Sequence, residues 1–241
     1  MKHSTPLIRS NHLLVGTATF ALSLLCARQT QATSVLTNGG FDSGSFTGWT
    51  LHADGADSWS VDTPGTGGIL SPGSDYATDH VSTANSIDSI YQVVSVPNAI
   101  AGTVTATMSL NRASDTGQVG SGGQWNIAVY GLNAGYTLSS AVSGAVPVGT
   151  PTSGGTLLSS AQYLNTAINT WVSLPTGGSL TSSPSVAYAS YEVLIYSVAQ
   201  GAVTRNGHFD SVSLDVPVPE PASFGLFGIS GLCLLGRRRR A

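Results

Sequence analysis

The chain has 241 residues, of which 41% are hydrophobic and only 9% charged, with 29 glycines. That length suits one domain of ordinary size. Between residues 33 and 216, eleven acidic residues stand against Arg112 and Arg205, and there is no lysine. Such a body has almost nothing with which to neutralise phosphates, so nucleic-acid binding is excluded. Divalent cations and neutral ligands suit it better.

Residues 1–32 read as a secretory signal. Lys2 and Arg9 supply a positive start, LLVGTATFALSLLCA (13–27) is an apolar run, and TQA (30–32) offers small residues for cleavage after Ala32. Leu24 and Leu25 stand where small residues should precede a lipidated cysteine, which argues against a lipoprotein leader at Cys26. Cys26 leaves with the signal, and Cys233 lies in the terminal apolar run. The body then has neither a disulfide framework nor a thiolate metal site.

Residues 33–216 show period-two alternation and no amphipathic helix. In TVTATMSLN (103–111), Val104, Ala106, Met108 and Leu110 fall on one face and Thr103, Thr105, Thr107 and Ser109 on the other, the pattern of a half-buried antiparallel strand. SIYQVVSV (89–96), WNIAVYGL (125–132), YEVLIYSV (191–198) and FDSVSLDV (209–216) read likewise. Glycine- and serine-rich stretches such as RASDTGQVGSGGQ (112–124) and PVGTPTSGG (147–155) are expected as loops between them. The fold class expected is all-β, a single antiparallel β-sandwich with a sizeable core.

Residues 222–236 carry no charge and are apolar, and Arg237, Arg238, Arg239 and Arg240 follow. Fifteen residues is short for a spanning helix, which takes about 20. An arginine block is nevertheless a poor neighbour for a core and a good stop at a cytoplasmic leaflet, which leaves the body outside. Val218-Pro219-Glu220-Pro221 precedes the run; two prolines around a glutamate exclude regular helix and central strand, so an extended, accessible stretch is expected.

VPEPAS, a short apolar helix and an arginine cluster, in that order over residues 217–241, resemble the PEP-CTERM sorting signal of Gram-negative bacteria that make exopolysaccharide. The resemblance implies recognition of Val218, Pro219, Glu220 and Pro221 by an exosortase. It also implies transient residence in the inner membrane, and release or transfer of the body to the cell surface or matrix. The expected organisation is therefore a signal peptide (1–32), a β-sandwich (33–216) and a sorting signal (217–241) containing a short transmembrane helix.

The body carries a second resemblance. LTNGGFDSGSFTGWT (36–50) and GHFDSVSLDV (207–216) are similar to the opening and closing strands of family 4/9 carbohydrate-binding modules and related galactose-binding-like jelly rolls. NTWVSLPTGGSLTSS (169–183) is similar to a later tryptophan-bearing strand of those modules. In those modules a structural calcium ties the first and last strands together. Carried over, this nominates Asp42 and Asp210, with carbonyls around residues 38–40 completing an oxygen shell. Asp210 shares simple strand parity with Val212 and Leu214, so it is expected to point inward at the sandwich rim; the alternative is that both aspartates only hold turns and backbone amides.

Sugar binding needs exposed aromatic faces beside amides and carboxylates. Trp49 and Trp171 occupy anchor positions in the resembling fold and are expected in the core. Trp59 and Trp125 border loops and are nominated as a platform, with Tyr130 nearby and Gln124 and Asn126 flanking Trp125. Catalysis finds no support in a nucleophile elbow, a zinc motif or a phosphate loop. His52, His80 and His208 are scattered in sequence.

The resulting expectation is an exported, non-enzymatic module for extracellular polysaccharide, with one structural Ca2+ and no other cofactor, placed at the cell surface or in a biofilm matrix. The rivals are a structural or adhesive matrix protein that binds no glycan, and a polysaccharide-acting enzyme with an unrecognised site.

Overall fold

A computed structural model describes residues 30–64, 75–82, 85–112, 123–164, 170–175, 178–199 and 205–219. Ala32–Val218 form one compact unit. The described residues hold twelve strands and no helix: β1 (Thr30–Ser34), β2 (Thr50–His52), β3 (Ser58–Asp62), β4 (Tyr76–Val81), β5 (Ile87–Ser95), β6 (Val104–Arg112), β7 (Gly123–Leu138), β8 (Pro151–Leu164), β9 (Val172–Leu174), β10 (Leu180–Ser182), β11 (Ser190–Ala199) and β12 (Arg205–Pro219). They form two antiparallel sheets. One runs β10-β6-β12-β4-β3, with β1 on β12 and β9 on β6; the other runs β2-β5-β11-β7-β8. The expected all-β sandwich is the fold of the body.

Alternation explains how the sheets meet. Val104, Ala106, Met108 and Leu110 of β6, Ala77 of β4, and Phe209, Val212, Leu214 and Val216 of β12 form the inner row of the seven-stranded sheet. Ile90 of β5, Trp125, Ile127 and Val129 of β7, and Tyr191, Val193 and Ile195 of β11 answer from the five-stranded sheet. Every one of these is buried, and area lost by both rows supplies the main force for closing the sandwich.

Sequence patterning located β5, β6, β7, β11 and β12. It placed residues 147–155 in a loop, whereas β8 begins at Pro151 and carries Gly154 and Gly155 within it. Pro151 is tolerated there because β8 is the edge strand. The tryptophan-bearing stretch 169–183 becomes two short strands, β9 and β10, both on β6. Trp171 does not join the main core; it is half-buried against Tyr76 in a small separate cluster.

At the N-terminal end, β1 crosses the bond after Ala32 where the leader is expected to be cut. Among the described residues no helix is long and apolar enough to cross a membrane. The leader before Thr30, the apolar run 222–236, and Arg237, Arg238, Arg239 and Arg240 lie outside the described residues.

One close approach is unusually demanding. Gly207 pairs with Arg112 and Asp79 on its two sides, and a Cβ added to it would overlap Trp125 Nε1 across the sandwich. Gly207→Ala should therefore overpack the core and cost about 1–3 kcal/mol. The check is a urea titration, with a lowered midpoint and an unchanged slope expected.

Candidate functional site

The outward row of the five-stranded sheet is built by the residues that alternate with its core row. Register places Thr50 opposite Tyr91 and His52 opposite Ser89. Tyr91 stands opposite Leu194, and Ser89 opposite Tyr196. Across β11, Glu192 faces Tyr130, Leu194 faces Ala128 and Tyr196 faces Asn126. Gln162 of β8 follows, opposite Asn126. Three half-buried tyrosines, Tyr91, Tyr130 and Tyr196, thus share one face with amides and a carboxyl group.

Part of this face is covered by the chain itself. After β7 the connection to β8 folds back, and residues 147–149 are buried on it. The Ser89 hydroxyl donates to the Val148 carbonyl at 2.9 Å. Gly149 has φ 96°, and a Cβ there would stand 2.6 Å from the Tyr91 ring. Only glycine can both take that backbone conformation and lie against the ring. On the same row, Leu132, Leu194 and Ala128 are buried although they face away from the main core. The β11 run YEVLIYSV is nearly continuous in apolar residues for this reason, since both its faces are covered.

Glu192 lies on this face with no exposed surface, and neither carboxyl oxygen has a hydrogen-bond partner. Burial pushes it up from 4.5 to about 8, so it is largely a neutral acid at pH 7. Burial also pushes Tyr130 up to about 12 and raises Tyr91 and Tyr196. Asn126, 5% exposed, keeps an unpartnered Nδ2. Arg112 and Arg205 belong to β6 and β12 of the other sheet. The face is therefore uncharged, hydroxyl-rich and aromatic, with spare donors, which suits a neutral polyhydroxyl ligand and not a phosphate.

The nominated platform is corrected in part. Trp125 is 2% exposed and belongs to the core, because it shares parity with Ile127 and Val129. Trp59 is half-buried, packs 5.8 Å from the Phe209 ring and donates Nε1–H to the His52 carbonyl at 3.0 Å. Trp125 therefore presents no face to solvent, whereas Trp59 stays partly exposed. Gln124, Asn126 and Tyr130 do lie on the outward row, and Gln124 accepts from Gln162 at 2.7 Å. Sequence reasoning missed Tyr91, Glu192 and Tyr196; their shared parity is visible in SIYQVVSV and YEVLIYSV once both rows are taken seriously.

Asp42 and Asp210 come together around Gly40: a Cβ on that glycine would lie 3.0 Å from Asp42 Oδ2 and 3.8 Å from Asp210 Oδ1. The inward orientation expected for Asp210 is corrected. A β-bulge separates Asp210 from Ser213, with Ser211 at φ 53°. The extra residue shifts the alternation, so Asp210 pairs with Ser109, a member of the outward row of β6. It is 1% exposed, and its Oδ1 accepts the Ser211 amide. Hard oxygen donors fit Ca2+, and Asp42 and Asp210 would hold it. Among the described residues no three His, Cys, Asp or Glu side chains are gathered as a metal cage.

The histidines are less scattered in space than in sequence. His80 Nε2 lies 2.8 Å from Ser60 Oγ, and His208 Nδ1 lies 2.9 Å from Thr78 Oγ1. Both hydroxyls, however, donate to Asp62, at 3.0 and 2.6 Å. A serine whose proton is committed to a carboxylate is not being deprotonated by its histidine, which is the reverse of nucleophile activation.

The family model of the PEP-CTERM protein-sorting motif matches residues 217–240, so the chain carries that motif at its C-terminal end. Comparison with curated proteins gives no match. Among solved structures the body resembles carbohydrate-binding-module jelly rolls. TmCBM61 in complex with β-1,4-galactotriose is 14% identical, with TM-score 0.48 over 76% of this chain and 97% of that one. The family 11 carbohydrate-binding module from Clostridium thermocellum, in complex with a β-1,3-1,4-mixed-linked tetrasaccharide, is 8% identical, with TM-score 0.40 over 77% and 96%. The enzymatically active domain of tailspike protein 4 from bacteriophage CBA120 is 13% identical, with TM-score 0.49 over 76% of this chain and 21% of that one. The likeness is one of fold.

Glu192 gives the site a pH signature. Its folded-state pKa is raised, so its contribution is fully present below the unfolded value of 4.5 and is lost as pH rises through about 8. Over that window the native chain should lose up to about 1.4 kcal/mol of stability per pH unit more than Glu192→Gln does. Denaturant titrations of the two chains from pH 5 to 9 check this; parallel curves would show that Glu192 is not held neutral.

Proposed function

We propose that the body is a non-catalytic module for neutral extracellular polysaccharide, bound along the outward row of the five-stranded sheet. A transient C-terminal membrane helix presents the sorting motif to an exosortase. The mature protein then works at the cell surface or in the exopolysaccharide matrix. The observation that carries the binding reading is one face on which the half-buried rings of Tyr91, Tyr130 and Tyr196 stand in a row with the exposed amide of Gln162. Tyrosine rings stack on the C–H faces of sugars, and an exposed side-chain amide can exchange hydrogen bonds with their hydroxyls.

Affinity electrophoresis of the exported protein in gels containing neutral glycans, with the host's own exopolysaccharide included, tests this reading. Retardation is expected, and Tyr130→Ala and Tyr196→Ala should each weaken it about tenfold. Retardation by none of the glycans would support instead a structural or adhesive matrix role; depolymerisation of the gel glycan would point to an enzyme.

The tail makes a separate expectation. Val218 is half-buried and Pro219 exposed at the end of β12, and Glu220 and Pro221 follow. Glu220→Ala should leave the full-length chain in the inner membrane and deplete the surface-released form. Immunoblots of membrane and medium fractions read this directly, and normal release would remove Glu220 from the recognition.

A further inference from the structure

We infer that Asp79, Asp88 and Asp57, with the hydroxyls of Ser197 and Ser86, form a calcium site between the two sheets, distinct from the Asp42–Asp210 pair and independent of glycan binding. The placement follows from register. Asp79 lies on the inward row of β4, two residues beyond Ala77, and is fully buried. Asp88 lies on the inward row of β5, opposite Ser197 of β11, and is also fully buried. Ser86 precedes Asp88 by two residues, and its carbonyl accepts the Ala199 amide at 3.0 Å. The loop before β3 completes the group. The Asp54 amide donates to Asp88 Oδ1 at 2.6 Å, and Asp57 Oδ1 accepts the Ser82 amide and hydroxyl at 2.6 and 3.0 Å.

Beyond the carboxylates themselves, the hydroxyls point to a ligand. Ser197 is 4% exposed and Ser86 2%, yet neither Oγ has a hydrogen-bond partner. Both oxygens of Asp79 and Oδ2 of Asp88 share that condition. Asp79 feels the Ser197 hydroxyl, Asp57 and Asp88, but makes no hydrogen bond of ordinary length and angle to any of them. Five buried, unpartnered oxygen atoms from both sheets are a costly arrangement. One cation in their midst would satisfy all of them.

The donor set selects the ion. All the donors are hard oxygens, with no thiolate or imidazole, which disfavours zinc and copper. The donors are buried, which disfavours Mg2+, since that ion sheds its waters reluctantly; Ca2+ takes 6–8 oxygens with flexible geometry. Burial raises Asp79 to about 7 and Asp88 to about 9, and each carboxylate raises the other, so the competing occupant is a proton shared by the pair. No three of the acids are yet drawn to coordinating distance, and closing the shell needs rotation of side chains whose strands are already fixed by their ladders.

Terbium luminescence on the exported protein tests the site, because Trp125 stands opposite Ser197 and can sensitise a bound lanthanide. Tryptophan-excited emission that calcium displaces is expected at pH 8. Asp79→Asn and Asp88→Asn should raise the terbium Kd at least tenfold, whereas Asp42→Asn should leave it unchanged. Calcium should raise the Tm of the native chain and not that of Asp79→Asn, and EDTA should reverse the rise. Should either Asn variant fail to fold, Ser197→Ala keeps every charge and should still weaken terbium. Emission and Tm that ignore all three changes, or that respond only to Asp42→Asn, would overturn the proposal. So would the absence of any calcium effect from pH 7 to 8, which would leave the proton-shared pair in its place.

Discussion

The position of β11 in the middle of the five-stranded sheet is the constraint on which the rest depends. Hydrogen-bonded to β5 on one side and β7 on the other, it cannot slip by one residue without exchanging all its side chains between faces. That register sends Val193 and Ile195 into the core and sets Glu192, Leu194 and Tyr196 on the outer face. It also brings Ser197 beside Asp88. Core, outer tyrosine face and inter-sheet oxygen cluster are therefore consequences of one alignment.

Charge balance is the second organising fact. With Arg112 and Arg205 as the body's only lysine or arginine residues, most of its carboxylates cannot be neutralised by ion pairs. His52 Nε2 lies 3.3 Å from Asp54 Oδ1, a contact that carries charge on both sides only when the imidazole is protonated. The other devices are different in kind. Asp57 takes an amide and a hydroxyl, Asp62 takes two hydroxyls, and Glu192 is kept protonated by burial. Each avoids a bare buried charge, which is the arrangement a protein interior tolerates least.

The sequence made the fold class legible because alternation is a direct imprint of a two-faced sheet. The threonine row of 103–109 and its apolar partner row could be assigned without coordinates. Polar strands were harder: YATDHV carries Thr78 and Asp79 on buried positions, and SWSVD is a five-residue strand with no fully buried position. Trp125 was misjudged by its neighbours in sequence, a glycine-rich loop, when its parity with Ile127 and Val129 was the better guide. Asp210 could not have been placed, since the bulge that turns it outward depends on Ser211 taking a left-handed conformation with no glycine to mark it. The cover over the outer tyrosine face was equally hidden, because a segment of twelve loop residues does not announce where it folds back.

The last strand also fixes how the mature protein can be held. β12 runs from Arg205 to Pro219, it pairs with β6 from Gly207 to Asp215 across one bulge, and Val218 still packs on the core. The sorting motif thus begins at the end of an interior strand. A pull at that end acts along the strand axis, across hydrogen bonds that lie perpendicular to it. The ladder must then fail as a set in shear, and not one rung at a time. For a strand held between β6 and β4, that is the strong direction in which to be loaded.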